Sequence, residues 1–376
     1  MRVLHLCNDF AGSTVHAELY RRLDAAGVEQ VVYCPIRHPQ LDGRNRFESQ
    51  HTEFIYSPIL KPLHRASFHL KIKKIVEDVE SKVDLSTIDC IHATTLFSDG
   101  AVALRLHRKC GLPYIVAVRN TDINVFMRYM PHLWGEHRQV VREAHKVVFI
   151  SPNLQRRTLH HRTLKPVVQL LAGKGVVVPN GLNDFWLNNL RLEGENGKNH
   201  SVVYVGKFDS NKNVERLVNA VLKLRADIPD IHLDLVGGDG EREVAVLQLV
   251  QQNPDTISYL GPIFDKPLLQ SIYLKNSVFA MPSKKETFGL VYLEALSQGL
   301  RVMYTRGEGI DGLFDVLVGE AVNAFDEDDI TDALRRLLLE PNRYQRLLPE
   351  HFARFRWNDI AEVYAGMYGE MTGTEM

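Results

Sequence analysis

Cysteine is scarce. The chain of 376 residues has four, Cys7, Cys34, Cys90 and Cys110, with no C-x-x-C pair and no histidine companion at metal spacing, which argues against a disulfide scaffold and a zinc site. Cys7, Cys34 and Cys90 lie in apolar, strand-like runs, where a thiol behaves as a small hydrophobe. A reducing cytoplasm is the expected setting. No apolar run approaches the ~18–20 residues that span a bilayer. The start, "MRVLHLCNDF", has neither the long apolar region nor the cleavage signature of a signal peptide. Net charge is missing too: 45 Lys/Arg stand against 46 Asp/Glu, a formal −1. No global basic field therefore recruits nucleic acid. Low-complexity segments and short repeats are also absent.

What is present is ordinary globular composition, 45% hydrophobic and 24% charged, at a length that suits two domains. The even total charge hides an asymmetry. Residues 101–175 hold thirteen Lys/Arg and three Asp/Glu, a pattern that serves an anionic partner or forms a solvated face.

Apolar runs alternate with helical stretches. "VLHLC" (3–7), "EQVVYCPI" (29–36), "IDCIHA" (88–93), "YIVAV" (114–118), "KVVFIS" (146–151) and "GVVVPNG" (175–181) read as strands, with a helix over 13–27. A polar stretch, "RLEGENGKNHS" (191–201), reads as a linker or surface loop. The alternation then restarts with strands at 202–206, 231–237, 257–261, 277–283 and 301–305 and a helix over 213–227. This pattern predicts two doubly wound α/β domains with parallel sheets covered on both faces. Ligands of such sheets bind at the carboxyl ends of the strands, so an interdomain cleft is the expected site.

Three loops after strands attract attention. Gly12 stands just before a helix, where backbone amides can approach an anion. No G-x-G-x-x-G surrounds it, which disfavours a nicotinamide-dependent oxidoreductase. Lys207 and Lys212 flank a short turn before a helix, a place suited to a diphosphate or equally to two solvated lysines. The third loop is "SKKETFGLVYLEALSQG", in which Phe288, Gly289 and Leu290 are expected to form the first helical turn, with unpaired N–H groups. Glu286 precedes that turn and Glu294 lies inside the helix. A glycosidase pair needs carboxyls ~5 Å apart, or ~6.5–9.5 Å for inversion. Eight helical residues separate α-carbons by roughly 12 Å. Two contacts along one extended ligand, such as a nucleotide sugar, fit that spacing better.

Here the residues resemble a known family. "PSKKETFGLVYLEALSQGLRV" is similar to the E-x7-E signature of retaining GT-B glycosyltransferases, specifically glycosyltransferase family 4 (glycosyl transferases group 1). "VGKFDSNKNVERLVNAV", "VVVPNGLNDFW" and "FARFRWNDIAEVYAGMY" resemble its other segments, in the family's order across nearly the whole chain.

The resemblance implies an N-terminal acceptor-binding Rossmann-like domain (1–180) and a C-terminal nucleotide-sugar-binding one (181–355). A helix over 356–376 would cross back to the first. It implies that Glu286 contacts the donor sugar and that Glu294 holds the ribose. Gly206, Thr287, Phe288, Gly289 and Leu290 would line the sugar and diphosphate, Lys207 and Lys212 would meet the phosphates, and Gly12 would lie below them. Ile263 would read the base through its backbone.

Where many members carry "HGTD", this chain has "RNTD" (119–122). Asp122 is kept and Arg119 replaces the histidine, a candidate clamp for a charged group or a sign of altered activity. The implied activity is retaining, metal-independent transfer from a nucleotide-diphosphate sugar, UDP-sugar favoured, to a glycan or lipid-linked acceptor in bacterial surface polysaccharide synthesis. No cofactor is implied. The acidic run "DEDD" (326–329) is expected as a solvated loop before a helix. The basic, partly amphipathic "HRASFHLKIKKIVEDV" (64–79) suggests peripheral contact with an anionic membrane.

Overall fold

The computed structural model describes residues 1–192 and 200–373. Two compact units divide the chain. One comprises Met1–Gly181 with the segment from Trp357 onward, the other Leu182–Arg356.

The first unit holds seven parallel strands: β1 (Arg2–Leu6), β2 (Glu29–Pro35), β3 (Thr52–Ser57), β4 (Cys90–Ala93), β5 (Tyr114–Val118), β6 (Lys146–Phe149) and β7 (Gly175–Val177). Their order is β3-β2-β1-β4-β5-β6-β7. Central strands are apolar on both faces because helices cover both, as a parallel sheet requires; every residue of β5 is buried. The Thr14–Ala25 and Trp357–Thr372 helices share one apolar cluster with this sheet, including Val3, Cys7, Tyr20, Tyr364 and Tyr368. His5 and His92 stand side by side in register on β1 and β4, with Nδ1 atoms 3.3 Å apart. Tyr368 of the last helix closes on His92 Nδ1 at 2.8 Å. Gly181 leaves room for the Trp357 indole, where any Cβ would collide with the ring.

The second unit holds six parallel strands: β8 (Ser201–Lys207), β9 (His232–Gly238), β10 (Ile257–Gly261), β11 (Val278–Ala280), β12 (Arg301–Thr305) and β13 (Gly319–Val322). The order β10-β9-β8-β11-β12-β13 repeats the connectivity of the first six strands of the other sheet, the doubly wound arrangement. Both units are Rossmann-like α/β folds.

Several expectations need correction. β3 and β13 were not anticipated; both are edge strands of mixed burial and carry a weak apolar signal. The basic stretch 64–79, for which no element was specified, forms two helices, Leu63–Ala66 and Phe68–Lys82, broken at an extended Ser67. The run 326–329 is largely helical. Asp326 is the N-cap of Glu327–Leu339, accepting from the N–H groups of Asp328 and Asp329, and the other three acids occupy the first turn. Of the linker 191–201, residues 193–199 lie outside the described residues, and Ser201 already opens β8. No described helix is long and apolar enough to cross a membrane.

Candidate active site

In the second unit, loops after β8, β11 and β12 are tied together by asparagines and glutamates. Asn211 binds the β11 loop three ways: its Nδ2 donates to Lys285 O (2.9 Å), its Oδ1 accepts from Lys285 N (3.1 Å) and its carbonyl accepts from Lys284 N (2.8 Å). Asn213 adopts a left-handed φ of 63° at the start of the Val214–Leu224 helix. Its buried amide donates to Pro282 O (3.1 Å) and Ala324 O (2.8 Å). This lattice holds Lys212 against Glu286, Nζ to Oε2 at 2.7 Å.

Both partners are largely shielded, with side chains 22% and 13% exposed, so their attraction is less screened than that of a surface pair. Lys207 differs: its Nζ pairs with Asp239 at 3.1 Å with both groups exposed, so it is free to leave that pair. Gly206 precedes it on β8, where a Cβ would press on the Tyr204 hydroxyl. That hydroxyl donates to Lys207 O at 2.6 Å.

Glu286 is held from several sides. Its N–H donates to Glu308 Oε2 at 3.1 Å and its carbonyl accepts from Gly309 N at 3.1 Å. Its Oε1 accepts from Thr287 N at 3.0 Å. Gly289 and Gly309 both close on its Cγ, where an added Cβ on either would stand 3.1 Å away.

The expected first turn at 288–290 is corrected. The helix is Leu290–Ser297, Gly289 is its N-cap with φ 75°, and Phe288 is buried before it. Glycine suits this left-handed N-cap because a side chain there would strain the backbone and meet the Tyr292 ring. The helix terminates at Ser297, and Gly299 follows with φ 80°.

Glu294 is no surface glutamate. Burial is the main influence on its carboxyl and raises it to about 7, against partial opposition from Trp186, Lys266 and Tyr273. Ile263 is half-buried in the loop between β10 and the Lys266–Lys275 helix.

In the first unit, the β5 loop runs into a π-helical turn, Asp122–Met127, a rare form often found at functional sites. Asp122 is buried, and its carboxylate accepts from the backbone N–H groups of Leu96 (3.1 Å), Phe97 (3.0 Å) and Arg119 (2.8 Å). Burial nevertheless raises it to about 6. Asp122 locks the loop after β4 to the loop after β5.

Arg119 is half-buried, and its Nε donates to Thr94 O at 3.1 Å. Its charge counters the burial that raises the Asp9 carboxyl. Gly12 is exposed before the Thr14–Ala25 helix, but the Asp9 carboxylate lies where its Cβ would be. An anion there must share the helix start with an acid of the protein. Asp9, Glu308 and Tyr273 carry no motif signal, and Asn211 and Trp186 were not singled out within theirs.

The Glycosyltransferase Family 4 model matches residues 12–184 and the Glycosyl transferases group 1 model matches residues 188–350. A D-inositol 3-phosphate glycosyltransferase of Stackebrandtia nassauensis is 31% identical over 181 residues, 44% of this chain and 41% of that protein. The chain thus spans about four-tenths of the first curated relatives it matches. An uncharacterized glycosyltransferase of Methanocaldococcus jannaschii is 23% identical over 324 residues, 84% of each chain. Among solved structures, a sucrose-phosphate synthase of Thermosynechococcus elongatus superposes with TM-score 0.73 at 22% identity over 99% of both chains. The Anabaena protein HepE in complex with UDP gives 0.67 at 16% identity, covering 98% of this chain and 99% of that one. With both sheets in the same doubly wound order, the chain has the GT-B fold and belongs to glycosyltransferase family 4 (glycosyl transferases group 1).

Proposed function

We propose that the protein moves a sugar from a nucleotide-diphosphate sugar, UDP-sugar favoured, to a hydroxyl of a glycan or lipid-linked acceptor, with retention and without a metal. The observation that carries this reading is the shielded Lys212–Glu286 pair beside the glycine-capped helix that also bears the half-buried Glu294. Relatives solved with UDP and UDP-glucose support the donor class.

The chemistry follows from charge. The anomeric C–O bond breaks with its electron pair leaving on the nucleoside diphosphate. The acceptor hydroxyl oxygen bonds the anomeric carbon on the same face and gives its proton to a diphosphate oxygen. Lys212 and Lys207 meet the growing negative charge as preorganised cations. Glu286 faces the sugar, where developing positive charge favours a carboxylate. Glu294 accepts hydrogen bonds from the ribose diol. Gly206 and the backbone over 287–290 give the donor close approach, and Ile263 reads the base. Arg119 and Gly12 belong to the acceptor-binding unit.

A bacterial surface-polysaccharide acceptor remains the favoured class, and a lipopolysaccharide galactosyltransferase, WaaB, shares the fold. Peripheral membrane contact is part of the same reading. Leu63 and Leu70 are exposed, as are Lys73 and Lys74, on the Leu63–Ala66 and Phe68–Lys82 helices. Failure to float with anionic liposomes at moderate salt removes it. A second reading, a nucleotide-sugar binder without turnover, draws on Arg119 in place of the family histidine.

A thermal-shift panel of nucleotide sugars tests the main reading. A donor at a hundred times its Kd stabilises by about 2.7 kcal/mol, which in a unit of this size raises the melting temperature by roughly 5–10 °C. No shift with any nucleotide sugar contradicts it. Donor turnover with candidate acceptors separates enzyme from binder.

A further inference from the structure

Lys71 and Arg119 are half-buried cations of the first unit that make no ion pair among the described residues. Lys71 belongs to the Phe68–Lys82 helix, and its Nζ donates to the neutral Ser98 hydroxyl at 2.8 Å. Arg119 follows β5 directly. Its Nε is occupied by Thr94 O, and its two terminal nitrogens have no partner among the described residues. Both side chains thus reach one segment, Thr94–Ser98, which follows β4 at the carboxyl end of the sheet. Ligands of doubly wound sheets bind at that edge.

Neither charge is needed to hold this segment. The neighbouring Asp99 carboxylate already accepts from Asn8 Nδ2 (2.9 Å) and from the hydroxyls of Thr94 (2.8 Å) and Thr95 (3.1 Å). The N–H groups of Leu96 and Phe97 are taken by Asp122, which meets the backbone N–H of Arg119 rather than its guanidinium. The nearby acids Asp9 and Asp99 form no ion pair with either cation among the described residues. Other basic residues of this unit behave differently: Arg105, Arg108 and Lys109 each pair with a glutamate. A shielded cation without an anion costs stability, because lost hydration is not replaced by an opposite charge. Burial accordingly lowers the Lys71 ammonium; Asp99 opposes this shift, and Arg37, just past β2, adds to it.

We propose that Lys71 and Arg119 form an oxyanion site in the first unit, and that the acceptor carries a phosphate or carboxylate group bound there. This rests on the reading of that unit as the acceptor-binding one. With Nε occupied, Arg119 still presents an end-on fork of two terminal nitrogens, and Lys71 adds a point charge. A neutral acceptor would leave both cations unpaired, so the site selects by charge.

Calorimetric titration of the whole chain with glucose 6-phosphate, glucuronate and glucose tests the site without donor or turnover. The charged sugars should bind at concentrations where glucose does not, and the tighter of the two tells phosphate from carboxylate. Lys71→Met and Arg119→Gln should each weaken the charged sugar by about 10–100-fold. Melting separates a binding role from a structural one. Lys71→Met relieves an unpaired charge and should hold or raise the melting temperature, whereas loss of a structural cation lowers it and counts against the proposal. Binding of the charged sugars no better than glucose, or undiminished in both variants, overturns it. If UDP-glucose binds and the charged sugars do not, the site fails and the donor reading stands. If the charged sugars bind and no nucleotide sugar does, the oxyanion site stands and the transferase reading fails.

Discussion

Lowering the pH from about 7.5 to about 5 protonates the histidines of the unfolded chain but leaves His5, His16 and His137 neutral in the first unit. Burial pushes each of these imidazoles down to about 3. His92, between His5 and Tyr368, is likewise pushed well below its ordinary value by burial. A folded pKa depressed below the ordinary 6.5 means that the stability is complete above that value and is lost as pH falls. At pH 5 the unfolded state gains about 2 kcal/mol per histidine, so these three together weaken the unit by roughly 6 kcal/mol. Asp122 works in the opposite direction: raised to about 6, it returns about 1–2 kcal/mol as the pH falls. The net loss, roughly 4–5 kcal/mol, is comparable to the whole stability of many domains. The second unit has the contrary trend, because the raised Glu294 costs less as it protonates below about 7. Calorimetric melting from about pH 8 to about pH 5 checks this. The transition of the first unit should drop steeply below pH 6.5 while that of the second holds or rises. A first-unit transition that stays level or climbs on acidification refutes the reasoning.

Other perturbations have equally direct readouts. Gly289→Ala forces a side chain into the left-handed region and against Tyr292, and should cost about 2–3 kcal/mol in denaturant unfolding. Asp122→Ala leaves three N–H groups of the β4 and β5 loops without their acceptor. It should destabilise by about 2–4 kcal/mol and increase amide exchange at Leu96 and Phe97. Lys212→Met keeps much of the stem but removes the cation, and turnover should fall about 10²–10³-fold.

Much of this was legible in the residues because parallel sheets leave a strong trace. β1, β5 and β8 are apolar without alternation, and that pattern alone implies a sheet covered on both faces. β3 and β13, edge strands with polar residues interleaved, leave almost none. The E-x7-E spacing pointed to Glu286 and Glu294 as two separate contacts rather than an acid pair. It misplaced the helix start, because a glycine N-cap with positive φ looks like a helical glycine until the backbone is seen. Asp122 was legible as a motif residue but not as a lock on two loops, since its partners are backbone amides 25 and 26 positions away or nearby at Arg119. Glu294 read as half-exposed from its own helix, and half-buried is what it is.

The central claim is that Glu286, held by Lys212 at the mouth of a glycine-capped helix, supports transfer from a nucleotide sugar. The most direct measurement is donor turnover by wild-type protein and Glu286→Gln, at matched nucleotide-sugar occupancy. The account predicts that the variant still binds the donor and loses turnover by about 10²-fold or more. Full turnover by Glu286→Gln contradicts it.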